Sequence, residues 1–266
     1  MGDKITPTLG RDRIISLDII RGFALLGIFL VNMPSFFSPI LYADPAVYWT
    51  GNVDKSLHAM VEIFAQASFY PLFAFLFGFG AVMIAERMQE REQSSPVYFS
   101  RRLFVLLLFG LLHAFFVWHG DILITYALCG IVFLLFYRLS PMVMLSIGAS
   151  VYLFFFGLLT LSTLLMDQAM MAEIMYNADA VKRSEAVYGT GSFGDIFSQR
   201  FQDWYLVNGP ANFWLLLVNI VPFMLTGAAF AKKKWLTTVH ENRRFLWITA
   251  IVTGIFGMLL KSLPYI

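Results

Sequence analysis

The sequence contains several uninterrupted apolar runs of about 20 residues, each bounded by charged residues. A helix of about 20 mostly apolar residues is what crosses a bilayer core about 30 Å thick. Hydrophobic residues make up 59% of the 266 residues and charged residues only 14%, whereas soluble domains have about 45–50% and 25%. The composition therefore excludes a soluble globular chain and a disordered one, and predicts a protein whose surroundings are the lipid bilayer.

We predict an all-α, polytopic transmembrane helix bundle that forms a single membrane domain over residues 1–266. Helices are favoured over strands because the apolar runs are continuous rather than alternating, and because lipid forces each segment to satisfy its own backbone polar groups. About seven membrane helices are expected, at 17–37, 61–85, 102–118, 121–138, 142–166, 211–231 and 245–263, with a long outer loop at 168–210.

Basic residues predict the orientation of the bundle, because short cytoplasmic loops collect Lys and Arg. With the N-terminus inside, the cytoplasmic side holds Lys4, Arg11, Arg13, Arg87, Arg91, Arg101, Arg102, Arg138, Lys232, Lys233, Lys234, Arg243 and Arg244. The two short outer loops hold only Lys55. The sequence therefore predicts the N-terminus in and the C-terminus out. Nucleic-acid binding needs a concentrated basic face. Because the net charge of the chain is only +2, no nucleic-acid partner is expected.

The second half of the long outer loop predicts an amphipathic interfacial helix at 192–205. One stripe of this helix is apolar and the remaining positions are polar. The stripe consists of Phe193, Ile196, Phe197, Phe201, Trp204 and Tyr205, while Asp195, Gln199, Gln202 and Asp203 project elsewhere. Such a helix is expected either to lie on the outer leaflet or to cover the mouth of the bundle.

Polar residues inside the first membrane helix are candidates for function, because charged groups are costly in lipid. Arg21 and Asn32 are eleven residues apart, which puts them within about 20° of one face and about 16 Å apart along the axis. Asp18 lies close to the same face. The alternative is an ordinary i,i+3 pair of Asp18 with Arg21 near the membrane surface, with the Arg21 side chain reaching out to water.

The third membrane helix carries Arg102 and, eleven residues on, His113 on the same face. His119-Gly120-Asp121 follows as a tight outer turn, in which the imidazole and the carboxylate could orient one another. A histidine can take and return a proton near neutral pH. The alternative for each histidine is a packed or interfacial imidazole. Four scattered histidines and a single cysteine predict no metal site.

Several segments, in order along nearly the whole chain, resemble the YeiB-like bacterial membrane proteins. These segments are 13–28, 31–33, 72–78, 101–103, 110–113, 120–127 and 188–193. The resemblance implies a multi-pass protein of the bacterial inner membrane. Because members of the family usually continue with further C-terminal helices, it also implies a chain that ends early at Ile266, or a bundle completed by a partner or by a second copy of the chain.

The opening Asp18-x-x-Arg21-Gly22 also resembles that of a wider set of transmembrane acyltransferases, which move acyl groups from coenzyme A inside to sugars or glycans outside. Many O-acyltransferases of this set have a histidine where this chain has Asn32, and the heparan-type N-acetyltransferase branch similarly has asparagine there. The resemblance therefore implies that His119 or His113 supplies either the base or the nitrogen that accepts the acyl group, and that Asn32 polarises a thioester or hydroxyl.

These observations lead to one functional hypothesis and two alternatives. A transmembrane acyltransferase would take acyl-CoA as co-substrate, with no permanently bound cofactor, and pass the acyl group to a glycan or small-molecule acceptor. Its expected site residues are His119, His113, Asp121 and Asn32 for catalysis and Asp18, Arg21 and Arg102 for acyl-CoA binding. The alternatives are a transporter of a small solute, whose path the polar stripe would line, and a non-catalytic membrane scaffold.

Overall fold

The structure, a computed structural model, describes residues 14–43, 45–90, 92, 95–165 and 177–262. All the regular secondary structure in these ranges is helical. Four basic residues used to predict the orientation, Lys4, Arg11, Arg13 and Arg91, lie outside the described residues, as do the predicted helix limits at 166 and 263 and the first part of the outer loop.

Eleven α-helices are present in the described ranges. They are α1 (Ile15–Asn32), α2 (Pro45–Tyr48), α3 (Asn52–Phe64), α4 (Phe69–Glu90), α5 (Ser95–Leu112), α6 (Leu123–Phe136), α7 (Pro141–Leu165), α8 (Ala178–Thr190), α9 (Phe193–Asn208), α10 (Pro210–Lys232) and α11 (Val239–Ser262). A 3₁₀ turn, Met33–Phe36, extends α1, and a π turn, His113–Val117, extends α5.

Six segments of the described chain are long and apolar enough to cross a membrane. They are Ile15–Phe36, Asn52–Glu90, Pro96–Val117, Pro141–Ser162, Pro210–Lys232 and Val239–Ser262. The prediction of an all-α, multi-pass membrane bundle is therefore confirmed. Following the charge distribution, we call the end that carries α8 and α9 the outer end and the end that carries Lys232 the inner end.

The helix predicted at 121–138 is shorter than a full membrane span. α6 has 14 residues, about 21 Å at 1.5 Å per residue, which falls short of the bilayer core. It starts late because Asp121 caps its first turn by accepting a hydrogen bond from Ile124 N–H. At its other end, Lys232 Nζ donates to the carbonyl oxygens of Tyr137 and Leu139. The helix is largely buried within the bundle, where neighbouring helices surround it.

The single helix predicted at 61–85 is two helices in the structure, because the chain turns at 65–68 between α3 and α4. Ala67 has a φ of 56°, a left-handed conformation that ends a helix. Lys261 Nζ stabilises the turn by donating to Gln66 O and Ser68 Oγ, each at 2.6 Å. The turn lies at the outer end, and it brings Ala65, Gln66, Ala67, Phe69 and Tyr70 to the wall of the cavity described below.

Helices α4 and α10 form the centre of the bundle, and glycines allow their backbones to touch. A Cβ on Gly78 would lie 1.8 Å from the carbonyl oxygen of Met224, and one on Gly227 would lie 1.9 Å from that of Phe75. Neither position has room for a methyl group. This close packing holds together the two helices from which much of the outer cavity is built.

Alanine at Gly227 is expected to destabilise the protein by about 3 kcal/mol, at the upper end of the cost of overpacking, because backbone rather than a flexible side chain must move. Gly257→Ala is the matched control, since nothing lies within 4 Å of a Cβ there. Thermal unfolding in detergent measures the difference. Equal stability of the two variants would show that α4 and α10 are not in contact at Gly227.

Candidate functional site

A cavity of about 1430 Å³ lies at the outer end of the bundle. Its walls come from the outer halves of α1, α4 and α10, from the π turn, and from the loop at 118–122. Helices α8 and α9, which we call the outer lid, contribute further lining residues. The four residues that the sequence predicts for catalysis, Asn32, His113, His119 and Asp121, all line this outer cavity.

His113 and Asp121 form a hydrogen-bonded pair in the cavity wall. His113 Nδ1 lies 3.0 Å from Asp121 Oδ1, and Asp121 Oδ2 accepts a 2.8 Å hydrogen bond from Ile124 N–H. Burial raises the pKa of Asp121, and these hydrogen bonds partly oppose the shift. With Nδ1–H donating to the carboxylate, Nε2 of His113 keeps its lone pair for proton transfer. The His113 side chain is 38% exposed, so a ligand in the cavity can reach it.

His119 faces a different carboxylate from the one the sequence suggests. The sequence predicts that Asp121 orients His119, whereas the structure places His119 Nδ1 3.6 Å from Asp203 Oδ2. The π turn explains why Asp121 contacts His113 instead of His119. Trp118 N–H donates to His113 O, and the chain then reverses, which brings Asp121 to His113. Burial lowers the pKa of His119, with Asp203 acting in the opposite direction.

Asp203 collects hydrogen bonds from three different parts of the chain. The hydroxyl of Tyr42 donates to its Oδ1, the hydroxyl of Tyr188 donates to its Oδ2 at 2.6 Å, and Gln199 Nε2 donates to Oδ1 at 2.7 Å. Burial and the hydrogen bonds to Asp203 raise the pKa of both tyrosines, which keeps them protonated as donors. Asp203 is only 1% exposed. It therefore ties the outer lid to the segment that follows α1.

The predicted amphipathic helix exists as α9, with Ser192 and Asp195 forming its capping box, and it covers the bundle mouth. Part of its aromatic stripe packs on the π turn, where Phe115 contacts Phe197, Phe201 and Trp204. Its most buried residues, however, are the polar Gln199 and Asp203. The sequence places both residues off the apolar stripe but does not predict their burial, which is possible because Tyr42 and Tyr188 supply hydrogen-bond partners there.

Sequence reasoning does not identify Asp203, Tyr42 or Tyr188 as site residues, and it does not predict α8. A polar residue such as Asn32 is conspicuous in an apolar helix, whereas polar residues in a polar loop do not differ from their neighbours. The spacing of Gln199 and Asp203, one helical turn apart, is the one available indication, because it predicts a shared polar face. The partners that bury this face lie far away in sequence, up to 161 residues for Tyr42.

The residues predicted to bind acyl-CoA lie near the inner end and do not line the outer cavity. Arg21 Nη1 lies 3.2 Å from Asp18 Oδ1, which is the i,i+3 pair considered above, and the Arg21 side chain remains 43% exposed. The guanidinium group of Arg21 lies beside Gly80, because a Cβ built on that glycine would be 3.2 Å from Nη2 of Arg21. Arg102 stacks over the ring of Phe77 at 5.6 Å. Phe77 and Gly80 are one turn apart on α4, so both guanidinium groups lie along one face of that helix.

His119 is expected to gain its proton only below pH 6.5, its ordinary pKa, because burial lowers the pKa. Arg200 lowers the pKa of His119 and Asp203 raises it, so Arg200→Gln should move the titration to higher pH and Asp203→Asn to lower pH. Histidine-selective NMR measures this, since the chain has only four histidines and His119→Gln identifies the resonance. A midpoint above 6.5, or shifts of the opposite signs, would contradict the described surroundings of His119.

Within the described ranges, no three His, Cys, Asp or Glu side chains come together as a metal site. No family model matches the chain, and no solved structure matches it. The chain is 35% identical over 277 residues to the uncharacterized protein YxaH of Bacillus subtilis (strain 168), an alignment that covers 97% of this chain and 68% of the relative. It is 31% identical over 245 residues to the uncharacterized protein YeiB of Escherichia coli (strain K12), with 88% of this chain and 60% of the relative covered.

Proposed function

The chain belongs to the YeiB-like family of bacterial membrane proteins, and we propose that it is a transmembrane acyltransferase that moves an acyl group from acyl-CoA at the inner end to an acceptor at the outer end. The observation that carries this proposal is the His113–Asp121 pair in the outer cavity. An imidazole oriented by a buried carboxylate is a suitable general base for acyl transfer. Asn32 and His119 line the same cavity, and each adds a group that such a reaction can use.

In the proposed reaction, Nε2 of His113 takes the proton of the acceptor hydroxyl or amine while the acceptor oxygen or nitrogen bonds to the thioester carbonyl carbon. The carbon–sulfur bond then breaks, and His113 returns the proton to the sulfur, so that coenzyme A leaves as a thiol. The Asn32 amide would donate a hydrogen bond to the thioester oxygen as negative charge develops on it. His119, whose lowered pKa keeps it neutral, is a second group able to accept a proton.

Arg21 and Arg102 are proposed to bind the phosphates of coenzyme A at the inner end. Guanidinium groups form strong, charge-assisted hydrogen bonds with phosphate oxygens. Leu25 lines the outer cavity and follows Arg21 by four residues on α1, about 6 Å along the helix axis. The cavity therefore comes within about one helical turn of Arg21, which supports a path for the pantetheine arm toward His113.

Binding of labelled acetyl-CoA to the purified protein in detergent tests the proposal. Arg21→Ala is expected to weaken binding about tenfold or more, the effect of losing a hydrogen bond between charged groups. Arg243→Ala is the matched control, because Arg243 is an exposed basic residue on a different helix, α11. Release of the coenzyme A thiol, followed with a thiol reagent, measures thioester cleavage in the same samples.

Three results would count against the proposal, in whole or in part. Absence of both acetyl-CoA binding and thioester cleavage would reject it. Equal binding by Arg21→Ala and Arg243→Ala would remove Arg21 from the phosphate site. Flux of a solute into proteoliposomes that does not respond to acyl-CoA would instead favour a transporter, with the outer cavity as part of the solute path.

A further inference from the structure

The outer cavity has a side wall at membrane depth that is both apolar and exposed. Leu25 and Phe29 of α1 and Val117 at the end of the π turn line the cavity, and each is more than half exposed. Leu25 and Phe29 lie within the span Ile15–Phe36, and Val117 is the last residue of the span Pro96–Val117. Exposed apolar side chains in the cavity wall at this depth are what a lateral opening between α1 and the end of α5 would present to lipid chains.

The outer rim of this opening is closed by an aromatic contact. Phe36, directly after α1, packs edge-on against Trp118, with ring centroids 4.8 Å apart. Trp118 also contacts the rings of His113 and His119. The opening therefore lies on the membrane side of Phe36 and Trp118, where lipid chains rather than water surround the protein.

The outer lid is held over the cavity by hydrogen bonds on the aqueous side. Asp203 accepts hydrogen bonds from Tyr42 and Tyr188, and Arg200 Nη1 donates to the carbonyl oxygen of Phe116 at 2.8 Å. These contacts connect the lid to the segment after α1 and to the π turn. They would have to break before the lid could lift.

We propose that the acyl acceptor is a membrane lipid of the outer leaflet, whose head group carries a free hydroxyl or amine and which enters sideways between α1 and the π turn. Its hydrocarbon chains contact Leu25, Phe29 and Val117, whose apolar surface offers no hydrogen-bond partners to a free sugar. Its head group reaches the polar part of the cavity, where the partly exposed His113 takes the proton of the hydroxyl or amine. This inference rests on the proposed acyl transfer and names the class of its acceptor.

Photocrosslinking tests the lateral entry without requiring any reaction. The protein is reconstituted in vesicles of phosphatidylethanolamine and phosphatidylglycerol, with a trace of phosphatidylethanolamine that bears a photoreactive acyl chain. Ile220 is the diagnostic residue, because it lines the cavity yet is 2% exposed, so that lipid reaches it only from within. Crosslinks at Ile220 are expected in the wild type.

Two double variants separate entry from general lipid contact. Leu25→Trp with Val117→Trp fills the opening and should reduce crosslinking at Ile220 several-fold. Leu26→Trp with Leu112→Trp is the matched control, because these exposed residues lie on the same two helices outside the cavity lining, and it should leave crosslinking unchanged. Absence of crosslinks at Ile220 in the wild type, or equal crosslinking by both double variants, would overturn the lateral entry.

Mass spectrometry of extracted lipids after incubation with acetyl-CoA tests the acceptor class. Acetylated phosphatidylethanolamine or phosphatidylglycerol is expected, whereas vesicles of phosphatidylcholine, which has neither a free hydroxyl nor an amine, should yield no product. Crosslinking at Ile220 without thioester cleavage would reject acyl transfer and leave the lipid as the ligand of the cavity. Thioester cleavage with a water-soluble acceptor, without crosslinking at Ile220, would leave acyl transfer standing and overturn the lipid acceptor.

Discussion

Alanine in place of His113 is expected to lower the rate of acyl transfer from acetyl-CoA by about 100- to 10,000-fold, the usual contribution of a general base. The reason is the geometry of the His113–Asp121 pair, in which a buried carboxylate fixes the imidazole and leaves Nε2 available. Because acetyl-CoA is proposed to bind at Arg21, near the inner end, its affinity should change little. The measurement is kcat, from product formation, beside the Kd for acetyl-CoA.

Substitutions around His113 separate catalysis from structure. His119→Ala should have a smaller effect, because His119 lies 3.6 Å from its carboxylate rather than 3.0 Å. Asp121→Asn should lower kcat as well, since the amide no longer holds the Nδ1–H tautomer. His240→Ala is the control, because His240 lies on α11, outside the cavity lining. Wild-type rates in both His113→Ala and His119→Ala would show that the outer cavity is not the catalytic site.

The membrane helices could be predicted from sequence because lipid imposes a local requirement. A span needs a certain number of consecutive apolar residues, and that number can be counted without knowledge of the fold. The two departures, short α6 and the turn at 65–68, arise from capping contacts. Asp121 sets the start of α6, and Lys261 reaches the turn from a helix 193 residues further along the chain, which no local pattern contains.

The candidate site could be predicted in part, for the same reason. Asn32 and His113 attract attention because polar groups are costly in apolar helices, and both line the outer cavity. Which carboxylate each histidine contacts depends on the π turn. The hydrogen bond from Trp118 N–H to His113 O that forms this turn cannot be predicted from residue spacing. A helical pattern shows which residues share a face, but the burial of that face depends on the partners that other segments supply, as Tyr42 does for Asp203.

Asp203→Ala is expected to destabilise the outer lid by about 3–5 kcal/mol, because three donors lose their acceptor and each buried donor left unsatisfied costs about 1–3 kcal/mol. The substitution leaves the hydroxyls of Tyr42 and Tyr188 and the amide of Gln199 without their acceptor. Hydrogen exchange of the α8 and α9 amides measures lid opening, and thermal unfolding in detergent measures the whole protein. Exchange in the lid should accelerate more than exchange in α4.

A graded series identifies the network rather than α9 itself as the source of this effect. Tyr42→Phe and Tyr188→Phe each remove one donor and should cost about 1 kcal/mol. Gln202→Ala, on the exposed face of the same helix, should change stability by no more than about 0.5 kcal/mol. Because Asp203 holds the outer lid over the cavity, Asp203→Ala should also give water-soluble acceptors easier access to it. Lid exchange in Asp203→Ala no faster than in Gln202→Ala would mean that Asp203 does not hold the lid.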